Sequence, residues 1–102
     1  MILARVEGSV VATKKNPKMT GSKLLLVRPV SVSAATDQEL KSGSGTLIAT
    51  DALGAGEGDV VLIVQGSSAR LAVDDKDSPV DAVVIGIVDT VDVQRRELYK
   101  AK

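Results

Sequence analysis

The sequence predicts an all-β fold, a small five-stranded antiparallel barrel of OB-like type with one short helical turn. Three observations predict it. Val and Ile outnumber Leu about two to one, and branched side chains pack well on a pleated surface. The apolar residues fall in short runs separated by glycine, proline and polar clusters, the punctuation of successive strands and turns. The chain has 102 residues and neither an internal repeat nor a linker, so it reads as a single domain over 1–102.

Each element follows from local composition. Residues 2–13, ILARVEGSVVAT, read as a first strand with Gly8 as a bend or bulge. Residues 14–21 are polar, contain Pro17 and end in Gly21, so they form a loop or wide turn. A second strand over 22–32 carries Pro29, which cannot donate to a ladder and marks a sheet edge or a strand break. The 33–45 stretch is polar and small, a surface excursion with room for a short helical turn. A short strand at 46–50 leads into the tight connection 51–58, DALGAGEG. Residues 59–65, DVVLIVQ, form a strand apolar on both faces, and 67–72 suit one helical turn capped by Ser67. An acidic loop at 73–79 precedes a long final strand over 80–93 and a charged tail, 94–102.

Composition narrows the chemistry. Lys plus Arg equals Asp plus Glu at 13 each, so no overall basic field attracts nucleic acid or an acidic membrane. The longest unbroken apolar run, Val60 to Val64, is far short of the ~20 residues that cross a bilayer, and the start of the chain lacks a signal peptide's apolar core. A cytoplasmic protein without membrane partners is the expectation. Cysteine is absent, which excludes disulfides and thiolate chemistry. Histidine is absent too, which removes the commonest general base and transition-metal ligand. Tyr99 is the only aromatic residue. A core of Val, Ile, Leu and Ala buries modest area in so small a domain, so stability is expected to draw on self-association. Strands apolar on both faces point the same way: Leu24–Val27, Val60–Val64 and Ala82–Val88 need cover outside the barrel, and another copy of the chain can supply it.

Gly54 and Gly56 fit the start of a dinucleotide fingerprint, but its third glycine position is Asp59 and a strand follows where a helix is required. Thr20-Gly21-Ser22-Lys23 has the residue types of a P-loop without its spacing. Asp74, Asp75 and Asp77 lack the glycine and distal glutamate of a Ca²⁺ loop, and Ser67 and Ser68 have no activating partner. No cofactor or metal is expected. Cations at 14, 15, 18, 23 and 28 form a candidate basic patch, yet no stacking rings accompany them. The residues alone leave two other readings: an OB-like module that binds nucleic acid or a small ligand, and an enzyme built on paired carboxylates such as Asp75 and Asp77.

Three segments carry a resemblance that covers nearly the whole chain: 3-LARVEGSVVATKKNPKMTGSKLLLVRP-29, 51-DALGAGEGDVVLIVQGSSAR-70 and 79-PVDAVVIGIVDTVDV-93. Together they resemble the bacterial microcompartment vertex family of EutN/CcmL type. The resemblance implies a barrel subunit that assembles as a homopentamer. It implies a structural role without turnover: closing the five-fold corners of a polyhedral shell in the cytoplasm, whose facets are hexameric tiles of another fold. The family pattern falls on Gly8, Thr13, Gly21, Lys23, Asp51, Gly54, Ala55, Gly56, Gly58, Gly66, Ser67, Ala69, Arg70, Asp81, Gly86 and Asp89. One departure follows the glycine turn: the family often carries Glu and a bulky aromatic where this chain has Asp59 and Val60. Small residues let backbones approach around a five-fold axis, so the Gly54, Ala55, Gly56 and Gly58 turn is expected at a subunit contact or near that axis, with Asp51, Gly66 and Ser67 beside it. Arg70 suits a carboxylate across that interface, and Asp51, Asp81 and Asp89 are its candidate partners.

Overall fold

The computed structural model describes residues 1–13, 23–32, 40–66, 69, 72 and 81–102. Eight strands run in chain order: β1 (Ile2–Val10), β2 (Lys23–Val32), β3 (Leu40–Ser42), β4 (Leu47–Asp51), β5 (Val60–Gln65), β6 (Ala82–Ile87), β7 (Thr90–Val93) and β8 (Arg96–Lys100). Five of them close a barrel in the order β1-β5-β6-β4-β2, with β2 returning to β1. Closure removes the exposed sheet edges that a small open sheet would carry.

One seam departs from the antiparallel expectation. β4 and β6 run parallel, paired at Thr50 and Val83, while the other four barrel seams are antiparallel. The reason is arithmetic: strand direction cannot alternate all the way round a ring with an odd number of strands. The Thr50 hydroxyl donates to the Ala82 carbonyl across that seam at 3.4 Å.

Local irregularities sit where glycine and proline place them. The β1–β2 register slips between Val6 and Gly8, so Glu7 is the extra residue of a bulge. Arg28 closes over that bulge, donating from Nε to Glu7 Oε2 at 2.9 Å and from Nη1 to the Gly43 carbonyl at 3.0 Å. Pro29 lies within β2, yet it breaks no ladder. β2 pairs with β4 as far as Val27 and with β3 from Val30, so the missing N–H falls in the gap between two partners. Its carbonyl still accepts from Gly43 N–H at 2.8 Å.

The 33–45 excursion, where the sequence predicts polar surface chain with room for a helical turn, contributes the short strand β3; residues 33–39 lie outside the described set, as do the 14–21 loop and the 73–79 acidic loop. The long final strand expected over 80–93 divides instead. β6 ends at Ile87, and the chain re-forms as a separate two-stranded hairpin, β7–β8, that takes in most of the charged tail. Its turn residues Gln94 and Arg95 hold φ of 49° and 67°. These are the left-handed values of a two-residue hairpin turn, adopted without the Asn-Gly or Asp-Gly pair that signals one. Ala69 and Ala72 are helical, in the stretch expected to form a helical turn.

The core gathers Ala4 and Val6 of β1, Leu25 and Val27 of β2, Ala49 of β4, Val61 and Ile63 of β5, and Ala82 and Val84 of β6. Alternate residues of each strand point inward, as period-two side-chain geometry requires. A smaller cluster lies outside the barrel, where Ala69 packs on Val83 and Val64. The chain therefore covers one part of its own outer face.

Candidate functional site: a plugged barrel end and its apolar rim

β4 and β6 run the same way and β5 starts opposite the end of β6, with Val61 facing Ile87. The 52–59 connection thus folds at one end of the barrel, beside the point where β6 runs out. Lys23 is the register partner of Asp51 and marks the same end on β2.

The glycine-rich connection is a plug. Ala55, in the middle of this loop, is fully buried and belongs to the barrel core. Asp51 holds it there. Oδ1 accepts from Leu53 N–H at 2.9 Å, and Oδ2 accepts from Gly54 N–H at 3.1 Å and Ala55 N–H at 2.8 Å. The loop's turn leaves these donors without ladder partners, and one nearly buried carboxylate satisfies them. Lys23 Nζ donates to the Ala55 carbonyl at 2.9 Å from the neighbouring strand. The far side is tied by Gly56 N–H to Asp59 Oδ2 at 2.9 Å, Gly58 N–H to the Val6 carbonyl at 2.9 Å, and Val6 N–H to the Asp59 carbonyl at 2.8 Å.

Gly58 turns the chain at a φ of 92°, where a side chain is strained. Gly56 has no such value, and a Cβ there would meet only Asp59 Oδ2 at 4.0 Å. Gly58→Ala is therefore expected to destabilise the isolated chain by about 1–2 kcal/mol, and Gly56→Ala by less than about 0.5 kcal/mol. Urea unfolding of the two variants checks the difference.

The other expected site residues fall as follows. Gly66 closes the end of β5, donating to the Asp81 carbonyl at 2.8 Å and accepting from Ala69 N–H at 3.1 Å. Asp81 is exposed, as is Asp89, whose carbonyl accepts from Ala101 N–H at 2.8 Å. Ser67, Arg70 and Gly21 lie outside the described residues. The Asp51 carboxylate is engaged by its own loop, which leaves Asp81 and Asp89 as the exposed carboxylates of the three candidates. Of the candidate basic patch, Lys23 points into the plug and Arg28 binds Glu7 and Gly43, while Lys14, Lys15 and Lys18 lie outside the described residues. Among the described residues no group of His, Cys, Asp or Glu has the arrangement of a metal site.

Exposed apolar residues lie near the plug and along the outside of β4 and β6, two of them within the Ala82–Val88 run that the sequence expects to be covered. Leu53 is 52% exposed on the plug loop, and Ile85 and Ile87 of β6 are 38% and 37% exposed. Ile48 on β4 is 47% exposed. The run of apolar residues in β6 was the available signal, since it offers more apolar side chains than one inward face can take.

The architecture matches known shell proteins. The family model described as ethanolamine utilisation protein EutN/carboxysome matches residues 1–89. The chain belongs to the EutN/CcmL family. Among curated EutN/CcmL relatives, the bacterial microcompartment shell vertex protein PduN of Salmonella typhimurium is 48% identical over 93 residues, 89% of this chain and 98% of PduN. A solved ethanolamine utilization protein EutN superposes with a TM-score of 0.89 at 36% identity, covering 100% of both chains. The GrpN pentameric microcompartment shell protein of Rhodospirillum rubrum superposes with a TM-score of 0.77 at 40% identity, covering 91% of this chain and 99% of GrpN. This EutN/CcmL chain is a structural microcompartment shell vertex protein, not an enzyme. The OB-like barrel carries a shell role here, and the binding-module alternative is not favoured.

Proposed function

We propose that five copies of the chain form a ring that caps a corner of a microcompartment shell, seated among hexameric facet tiles. Hexagonal tiles alone pave a flat sheet, and a closed polyhedron needs five-fold units at its corners. The observation that carries the reading is the pairing of a sealed barrel with an unsealed exterior. The plug fills the inside at that end with Ala55, while Leu53, Ile48, Ile85 and Ile87 stay bare on the outside. Such residues are the raw material of a subunit contact. The pentameric relative GrpN supports a ring of five. Within it, the turn from Gly54 to Gly58 serves as a rigid contact element, and Asp81 and Asp89 are the accessible carboxylates for Arg70 of a neighbouring copy.

Reconstitution of shells from facet tiles tests the role. With this chain present, particles are expected to close and exclude a fluorescent protein added outside. Without it, the same tiles are expected to give particles that admit the protein. Equal exclusion in both preparations counts against the corner reading.

A further inference from the structure

The β7–β8 hairpin is not accounted for by the barrel. It forms its own two-stranded sheet, and no barrel strand packs along it. The family model ends at Asp89, one residue before it begins, while the solved EutN structure covers the whole chain. Its ties to the body are at its root, where Ala101 N–H meets the Asp89 carbonyl and Val60 N–H donates to Tyr99 Oη at 3.3 Å. A lone two-stranded hairpin is marginal in water. This one is also two-faced. Val91 sits opposite Tyr99, and Val93 opposite Arg96, on one side, while Asp92 and Glu97 share the other. Val91, Val93, Leu98 and Tyr99 are only half-buried, and Asp92 and Glu97 are exposed.

Each copy also carries a surface to match. Leu53, Ile85 and Ile87 lie at the barrel end from which the hairpin leaves, with Glu57 exposed on the plug beside them. Arg95 and Arg96 at the hairpin tip have no ion-pair partner among the described residues. An apolar ribbon with a cationic tip and an apolar rim next to an acid are complementary. Because the two surfaces differ and each chain bears both, the contact is head-to-tail, the kind that repeats around a ring of five.

We propose that the Thr90–Lys100 hairpin is an arm that lays its Val91, Val93 and Tyr99 face across the Leu53, Ile85 and Ile87 rim of the neighbouring copy, with Arg95 and Arg96 reaching Glu57. The proposal rests on the ring reading above. In a ring so strapped, the exposed part of that face becomes covered only when a neighbour is present.

The unmodified chain supplies the probe, because Tyr99 is its only aromatic residue. Iodide quenching of Tyr99 fluorescence is expected to rise severalfold on dilution, at the same protein concentration at which the ring dissociates by native mass spectrometry. Val93→Asp is expected to raise that dissociation concentration at least tenfold, and Asp92→Asn on the opposite face to leave it unchanged. An arm that folds on its own barrel instead gives quenching that does not move when the ring dissociates. Either that result or a Val93→Asp ring as stable as the unmodified one overturns the arm while leaving the ring standing. A chain that is monomeric at every concentration overturns both.

Discussion

Asp51→Ala is expected to lower the unfolding free energy by about 3–4 kcal/mol, because it strips the acceptor from three backbone donors at once. Leu53, Gly54 and Ala55 have no alternative carbonyls within the turn, and Ala55 is fully buried. An orphaned buried donor costs about 1–3 kcal/mol, and the two partly buried donors recover some of that from water. In a domain with about 5–15 kcal/mol of stability this is a large share, equivalent to more than about 10 °C in Tm. Asp51→Asn retains one acceptor oxygen. Placed at Oδ2 it keeps the bonds from Gly54 and Ala55 and loses the one from Leu53, so an intermediate loss is expected. Urea unfolding of the alanine and asparagine variants gives the ranking; an alanine variant as stable as the parent means that the plug is held by something else.

Leu53→Lys separates assembly from folding. The side chain is half exposed on a loop held by main-chain bonds, so the substitution is expected to leave the isolated chain's stability within about 0.5 kcal/mol. In the proposed ring the same position meets the apolar face of a neighbour, and desolvating an ammonium there costs several kcal/mol. A loss of about 2.7 kcal/mol per contact is about a hundredfold in affinity, and a ring repeats the contact at every interface. Light scattering at micromolar concentration is expected to show monomers that are folded by circular dichroism. A Leu53→Lys ring of unchanged affinity removes the plug loop from the interface.

The strands were legible because their punctuation is chemical. Gly8 announced the bulge at Glu7, and the short apolar runs named β1, β2, β4, β5 and β6. Pro29 was legible as a constraint but not as a solution, since only the switch of partner from β4 to β3 shows where the missing donor goes. The hairpin was hidden for a physical reason. Its turn places Gln94 and Arg95 at positive φ without glycine or asparagine, so tertiary context supplies what local preference does not. The parallel seam follows from an odd strand count and topology, which no window of sequence contains. The bonds from Asp51 to its own loop were not legible, because a carboxylate that caps its own turn and one that crosses an interface look alike in sequence. The burial of Ala55 was equally invisible: a loop of small residues reads as surface, and only the three bonds from Asp51 and the Lys23 bond to its carbonyl carry it inward.

Native mass spectrometry of the unmodified chain at micromolar concentration, supported by light scattering, tests the central claim most directly. Five copies of a 10.6 kDa chain give a species of about 53 kDa, and the account predicts that this dominates. A spectrum dominated by monomer or dimer contradicts it.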